Sequence, residues 1–197
     1  MPSLTFRELL AKPNVHEFSF KGRGPGILAV HGGAIEEGTE RITRKLIELG
    51  GFAGYIISVR APGATYRDYH VPSTFISPGD SETLLSVVRS VDALVAIHGQ
   101  KKDGNIYVGG LNEKLRIQIA YELGLVFPGI VFSDLATLPP TLRGASKTNI
   151  VNFHSSGGVQ IELPLNIRVK DIDFDLPVID ESGLKICAAI LRGIGQP

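Results

Sequence analysis

The chain has 197 residues, with 43% hydrophobic and 20% charged side chains, a length and balance that fit one globular domain and exclude a disordered segment. Its 20 Lys and Arg are matched by 20 Asp and Glu, so the whole-molecule attraction that a nucleic-acid or anionic-membrane binder uses is missing. No apolar run approaches the roughly 20 residues that a membrane-spanning helix needs.

In chain order, Gly26–Val30, Gly54–Val59, Ala93–Ile97, Ile106–Val108, Gly129–Phe132 and Val159–Leu163 read as buried strands. They are short, apolar on both faces, and end at glycine or a polar turn. Helical spacing fills the intervals: Thr39–Leu49 carries Ile42, Leu46 and Leu49 on one side, and Glu113–Leu123 carries Leu115, Ile119 and Leu123. Ser81–Val91, with Asp80 and Ser81 as cap candidates, and Gly183–Ile194 complete the set. This alternation predicts an α/β fold over residues 1–197: one domain, with a mixed, mostly parallel sheet flanked by helices. Arg60–Pro78 and Pro139–Thr148 read as surface loops beside whatever site exists. Cys187, the lone cysteine, falls in the last helix and reads as core. The start, Met-Pro-Ser-Leu-Thr-Phe-Arg-Glu, lacks the pattern of a signal peptide, so the expectation is a protein that is cytoplasmic as synthesised, or one that leaves the cell by a route other than secretion.

Two of the strands end alike. An aliphatic run closes on His31, passes Gly32 and Gly33 and delivers Glu36 at a predicted helix start; a second run closes on His98 and Gly99. A helix would set positions 31 and 36 about 140° apart, whereas a Gly-Gly turn can fold both side chains to one point. In open parallel sheets ligands bind beyond the carboxyl ends of the strands, where both histidines fall if their strands are neighbours. In the last strand Val159, Ile161 and Leu163 share one face and Gln160 and Glu162 the other, so Glu162 meets a polar cleft or a cation. Two histidines and a glutamate form the ligand set of hydrolytic zinc sites, with a further carboxylate to take the proton of a water. Each piece has a plainer reading. Either histidine can be a hydrogen-bonded core residue, Glu36 a first-turn carboxylate like its neighbour Glu37, and Glu162 a structural partner of Arg168 or Arg143.

Whole segments are more specific than single residues. Ile27-Leu-Ala-Val-His-Gly-Gly-Ala-Ile-Glu-Glu-Gly-Thr39, Val95-Ala-Ile-His-Gly99, Ile106-Tyr-Val-Gly-Gly-Leu-Asn-Glu113 and Gly157-Gly-Val-Gln-Ile-Glu-Leu-Pro164 resemble the successive motifs of the poly-γ-glutamate hydrolase family. The resemblance spans positions 27 to 164. It implies a zinc carboxypeptidase-like fold, one zinc ion, and hydrolysis of γ-glutamyl amide bonds in poly-γ-glutamate, and it suits a phage or prophage origin. It assigns His31, Glu36 and His98 to the metal and Glu162 to the general base. The segment Asp68-Tyr-His-Val-Pro-Ser-Thr-Phe75 resembles the family's His-x-x-Ser loop, which places His70 and Ser73 at the cleft. Phe153 and Leu165 stand where the family often has basic residues, so recognition of the polymer's carboxylates is expected from Arg116, Arg143, Arg168 and the pair Lys101 and Lys102. A zinc amidohydrolase acting on another substrate, such as a peptidoglycan stem peptide, and a non-catalytic binding module are the alternative readings. They differ in the products released and in whether zinc is present at all.

Overall fold

In the computed structural model, which describes residues 4–61, 63, 66–168 and 179–196, the six runs read as strands all join one sheet. Strands β1 (Val15–Phe20), β2 (Arg23–Gly33), β3 (Phe52–Val59), β4 (Leu94–Gln100), β5 (Ile106–Gly109), β6 (Val131–Phe132) and β7 (Val159–Pro164) lie in the order β1-β3-β2-β4-β7-β5-β6. The central β3, β2, β4 and β7 are parallel; β1 runs antiparallel to β3, β5 antiparallel to β7, and β6 parallel to β5. Around them lie helices α1 (Phe6–Leu10), α2 (Thr39–Gly50), α3 (Tyr66–Tyr69), α4 (Glu82–Arg89), α5 (Glu113–Val126), α6 (Leu165–Arg168) and α7 (Glu181–Ile194).

The central strands are apolar throughout because both of their faces are covered. Ile27, Ala29, Val95, Ile97, Val159 and Ile161 pack with Ile42 and Leu46 of α2, Ile119 of α5 and Ile190 of α7. Leu28, Val30, Leu94 and Ala96 belong to a second cluster with Phe6 and Leu9 of α1 and Leu84 and Val88 of α4. Cys187 lies in the first cluster, fully buried, and burial pushes its thiol up to about 12, which suits a core residue rather than a nucleophile. Among the described residues, no helix is long and apolar enough to cross a membrane.

Several boundaries differ from the sequence reading for local reasons. The strand expected over Gly129–Phe132 is confined to Val131–Phe132, since Gly129 takes φ +81° and only the Ile130 carbonyl reaches Ile106 N–H. Ser81 alone caps α4, accepting Leu84 N–H; Asp80 instead closes a one-turn Pro78–Asp80 helix by accepting Ser77 N–H. The segment read as the loop Arg60–Pro78 contains α3 and the 3₁₀ turn Ser73–Phe75, while positions 62, 64 and 65 lie outside the described residues. The short α1 and the edge strand β1, whose apolar positions are interrupted by His16, Glu17 and Ser19, gave no sequence signal long enough to read.

At the strand end beside β4 the expected Gly-Gly turn does not form. Gly32 and Gly33 remain in β2, paired with Ser58 and Val59. Against β3, β2 carries one extra residue between Ala29, opposite Ile56, and Gly32, opposite Ser58. Strict alternation from Ile27 and Ala29 would send His31 towards α2 and α5. The bulge reverses that parity and turns the imidazole to the face of Val30 and Ala96. The β3 backbone then passes so close that a Cβ on Gly32 would meet the Ile57 carbonyl oxygen at 2.4 Å and one on Gly33 the Val59 oxygen at 2.3 Å. The reversal itself follows in residues 34–38, where Glu36 N–H donates to the His31 carbonyl at 2.9 Å. Pairing of β2 with β4 stops at Leu28 opposite Ala96, and β3 and β4 lie on opposite sides of β2, so a crevice opens at the carboxyl ends.

Gly33 is the position least able to accept a side chain, since it also has φ +71°. Gly33→Ala is expected to destabilise the protein by about 1–3 kcal/mol in denaturant unfolding. Unchanged stability would show that the close approach of β2 and β3 imposes no constraint.

Candidate metal centre

His31, Glu36 and His98 meet at the crevice, all buried, and they form a cluster able to hold a metal ion. His31 Nδ1 lies 3.0 Å from Glu36 Oε1 and 3.2 Å from His98 Nδ1, and His98 Nδ1 lies 3.3 Å from Glu36 Oε2. Bonds of about 2.0–2.1 Å to the centre of a tetrahedron would set donors about 3.3 Å apart. The two Nδ1 atoms and the two Glu36 oxygens that face them are separated by distances close to that spacing.

The surroundings orient each donor. His31 Nε2 donates to the Val71 carbonyl at 2.8 Å, which fixes the proton on that nitrogen and leaves the Nδ1 lone pair facing the centre. His98 Nε2 stands 3.4 Å from Ser73 Oγ, its counterpart on the other ring. Gly99 N–H donates to Glu36 Oε2 at 2.9 Å. Burial works against the Glu36 carboxylate, yet His31 and His98 together hold it well below the usual range. The same pairing holds His98 above its usual range against the opposing effect of burial. Charge inside this pocket is therefore stabilised by its neighbours rather than by water.

Glu162 stands opposite His98 in the β4–β7 register and is also buried. Burial raises its carboxyl to about 7; His98 opposes the shift and the charge on Glu36 adds to it. Gln160 Nε2 donates to Glu162 Oε1 at 2.9 Å. The sequence alternation thus assigned the faces of β7 correctly, with Val159, Ile161 and Leu163 in the core and Gln160 and Glu162 lining the cleft.

That cleft has a volume of about 910 Å³. His70 and Ser73 line it: the His70 ring centroid lies 4.2 Å from that of His31, and Tyr66 Oη lies 2.8 Å from His70 Nε2. Burial, then the proximity of the His31 ring, pushes His70 down to about 3, so it is a neutral ring at neutral pH. Arg168, Lys101 and Lys102 also line the cleft. Arg168 Nε donates to the Leu163 carbonyl at 3.1 Å and Nη1 to that of Glu37, while the buried Nη2 has no partner among the described residues. Gly99 makes this placement possible, because a Cβ there would lie 2.4 Å from Arg168 Cζ.

Arg116 and Arg143, expected at the substrate, lie outside the cleft lining. Arg116 is buried on α5 and donates to the Ser133 carbonyl at 3.0 Å, and Arg143 donates to the Leu138 and Ala136 carbonyls at 2.8 and 3.3 Å. Both tie loops together, and neither is among the residues lining the cleft. Phe153 and Leu165, where the sequence departs from the family pattern, lie outside that lining as well. Sequence reasoning missed Tyr66, Asn149 and Gln160 as lining residues. Gln160 had a readable signal, the face that it shares with Glu162.

A sequence profile described as poly-gamma-glutamate hydrolase matches residues 8–175. The prophage-derived UPF0714 protein YoqZ of Bacillus subtilis strain 168 is 29% identical over 145 residues, 72% of this chain and 49% of its own. The chain spans about half the length of that curated relative. A bacteriophage poly-gamma-glutamate hydrolase superposes with a TM-score of 0.76 at 23% identity, over 91% of this chain and 87% of that one. A zinc-free apo form of a protein named YNDL superposes at 0.81 and 22%, over 97% and 96%. A carboxypeptidase A-type protein of Shewanella denitrificans OS-217 superposes at 0.53 and 14%, over 94% and 66%. The fold is thus of the zinc carboxypeptidase type.

The raised Glu162 carboxyl has a thermodynamic consequence. A folded value near 7 against an ordinary 4.5 means that the folded chain binds this proton more tightly than the unfolded one. Its contribution is complete below about pH 4.5 and lost as the pH rises through 7. In the presence of a chelator, Glu162→Gln is expected to melt above the parent by roughly 4 °C or more at pH 8, with the gap closing towards pH 5. A gap independent of pH would contradict the burial argument.

Proposed function

The chain belongs to the poly-γ-glutamate hydrolase family, and from that membership we propose that it is a zinc-dependent amidohydrolase cleaving the γ-glutamyl amide bonds of poly-γ-glutamate. The observation that carries the proposal is the convergence of His31, Glu36 and His98 at near-tetrahedral spacing, with Glu162 across the register from His98. Two imidazoles and a carboxylate with one side open to a cleft suit zinc among divalent ions. Bound there, the ion supplies Lewis acidity to the scissile carbonyl and lowers the pKa of water.

The rest of the chemistry falls to the chain. Glu162 takes the proton of the attacking water and hands it to the departing amide nitrogen, a cycle for which a carboxyl poised near neutrality is suited. Val71 and Ser73 keep the two imidazoles turned to the centre, and the neutral His70 ring packs on His31 as part of the wall. Poly-γ-glutamate carries one carboxylate per residue. Arg168, Lys101 and Lys102 supply the positive side of the cleft, and Arg168, whose Nη2 has no partner among the described residues, is the group suited to a carboxylate. A locally basic groove attracts a polyanion even in a chain of zero net charge.

Glu162→Gln is expected to retain one equivalent of zinc and to lose turnover by about 10²–10⁴-fold, whereas His31→Ala and His98→Ala lose the metal itself. Wild-type turnover in Glu162→Gln would show that the base is elsewhere. Arg168→Gln is expected to raise KM for the polymer about tenfold with a smaller change in kcat, measured on defined γ-linked oligomers. Release of short oligomers from poly-γ-glutamate, set beside α-linked polyglutamate and muropeptides, decides the substrate: equal or faster cleavage of either of the latter contradicts it.

A further inference from the structure

The segment Gly157-Gly-Val-Gln-Ile-Glu carries one polar residue that the reaction above leaves without a part of its own, Gln160. It is 4% exposed, at the floor of the cleft, and its side-chain amide stands inside a directed chain of hydrogen bonds. Val151 N–H donates to Asn149 Oδ1 at 3.1 Å; Asn149 Nδ2 donates to Gln160 Oε1 at 2.9 Å; Gln160 Nε2 donates to Glu162 Oε1 at 2.9 Å. The backbone donor at the start admits one orientation only, because an N–H can meet only the oxygen of the Asn149 amide. Each following amide is then turned so that its nitrogen faces onward. The chain ends by presenting a donor, never an acceptor, to Glu162.

We propose that Asn149 and Gln160 are positioning residues that hold the Glu162 carboxyl in its working rotamer and reserve Oε2 for the travelling proton. The inference rests on the role proposed for Glu162 and extends it to residues that touch neither the metal nor the reacting atoms. An oxygen accepting from an amide N–H is the less basic of the two, so the proton taken from water goes to the other oxygen. The loop after Pro140 is shaped to this arrangement. Gly144, at φ +58°, lies against Gln160 so closely that a Cβ would come within 2.7 Å of Gln160 Cβ. Asn152 ties the same loop down by donating from Nδ2 to the Gly144 and Ser146 carbonyls at 2.6 and 2.8 Å.

The test uses Gln160→Met, of similar length and without a donor, on the zinc-loaded chain. The expected result is a kcat lower by about 10–100-fold with KM and zinc content little changed, beside a melting temperature lowered by several degrees through the two lost buried hydrogen bonds. In a Glu162→Asp background, where the shortened carboxyl is already out of reach of the amide, Gln160→Met is expected to cost less than about twofold. Asn149→Ala probes the far end with Gln160 intact, and about a fivefold loss in kcat is expected there as Gln160 gains rotational freedom. Full turnover in Gln160→Met, or an equal cost with and without Glu162→Asp, overturns the inference. If Gln160→Met does not fold, unchanged kcat in Asn149→Ala overturns it. These outcomes are separate from failure of the general-base assignment, which shows as wild-type turnover in Glu162→Gln alone.

Discussion

The close approach of β2 to β3 at their carboxyl ends governs everything that happens in the cleft. Two consecutive glycines allow the backbones to pass within a distance that no side chain permits, and one extra residue in β2 shifts the side-chain parity just before them. Without the shift, the His31 imidazole would be buried among Ile42 and Leu46; with it, the ring crosses to the side where His98 stands. The turn that follows returns Glu36 to the carbonyl of His31, five residues upstream. A backbone irregularity of one residue thereby lets an apolar strand deliver one donor and the turn after it a second.

Electrostatics then makes the arrangement purposeful. Four titratable side chains, His31, Glu36, His98 and Glu162, are buried within one small region. Removing a lone charge from water costs several kcal/mol, on the order of what a whole domain has to spare. Glu36 and the histidines compensate one another, but Glu162 lacks a full partner and its carboxyl drifts upward. A divalent cation held by the three donors would relieve both problems, since it would replace the protons shared among them and add positive charge near Glu162. The fold tolerates the cluster because the Val71 carbonyl, Ser73, Gly99 N–H and Gln160 supply neutral hydrogen bonds at each outer edge.

Much of this was legible in the order of residues, and the exceptions have identifiable physical causes. Strands β2, β3, β4 and β7 are apolar runs bounded by turns, and their helices repeat leucine and isoleucine at helical spacing, so type and sequence of elements were readable. His31, Glu36, His98 and Glu162 stood out because histidine at the end of an aliphatic strand and glutamate inside one have few uses. The bulge was not readable, since a parity shift depends on how one strand registers against another. The role of Arg143 was hidden for a related reason: its partners are the carbonyls of Ala136 and Leu138, and backbone acceptors leave no mark on sequence. Arg116 misled in the same way, through the carbonyl of Ser133. Gln160 was visible by its face but not by its direction, which is inherited from the Val151 N–H two bonds away.

X-ray absorption at the zinc edge, on untagged chain stripped of metal and reloaded with a limiting amount of zinc, interrogates the central geometry without reference to any substrate. The account predicts one zinc per chain with two imidazole nitrogens and carboxylate oxygen in its first shell, at about 2.0–2.2 Å. Substoichiometric uptake, or a first shell with fewer than two imidazoles, would contradict it.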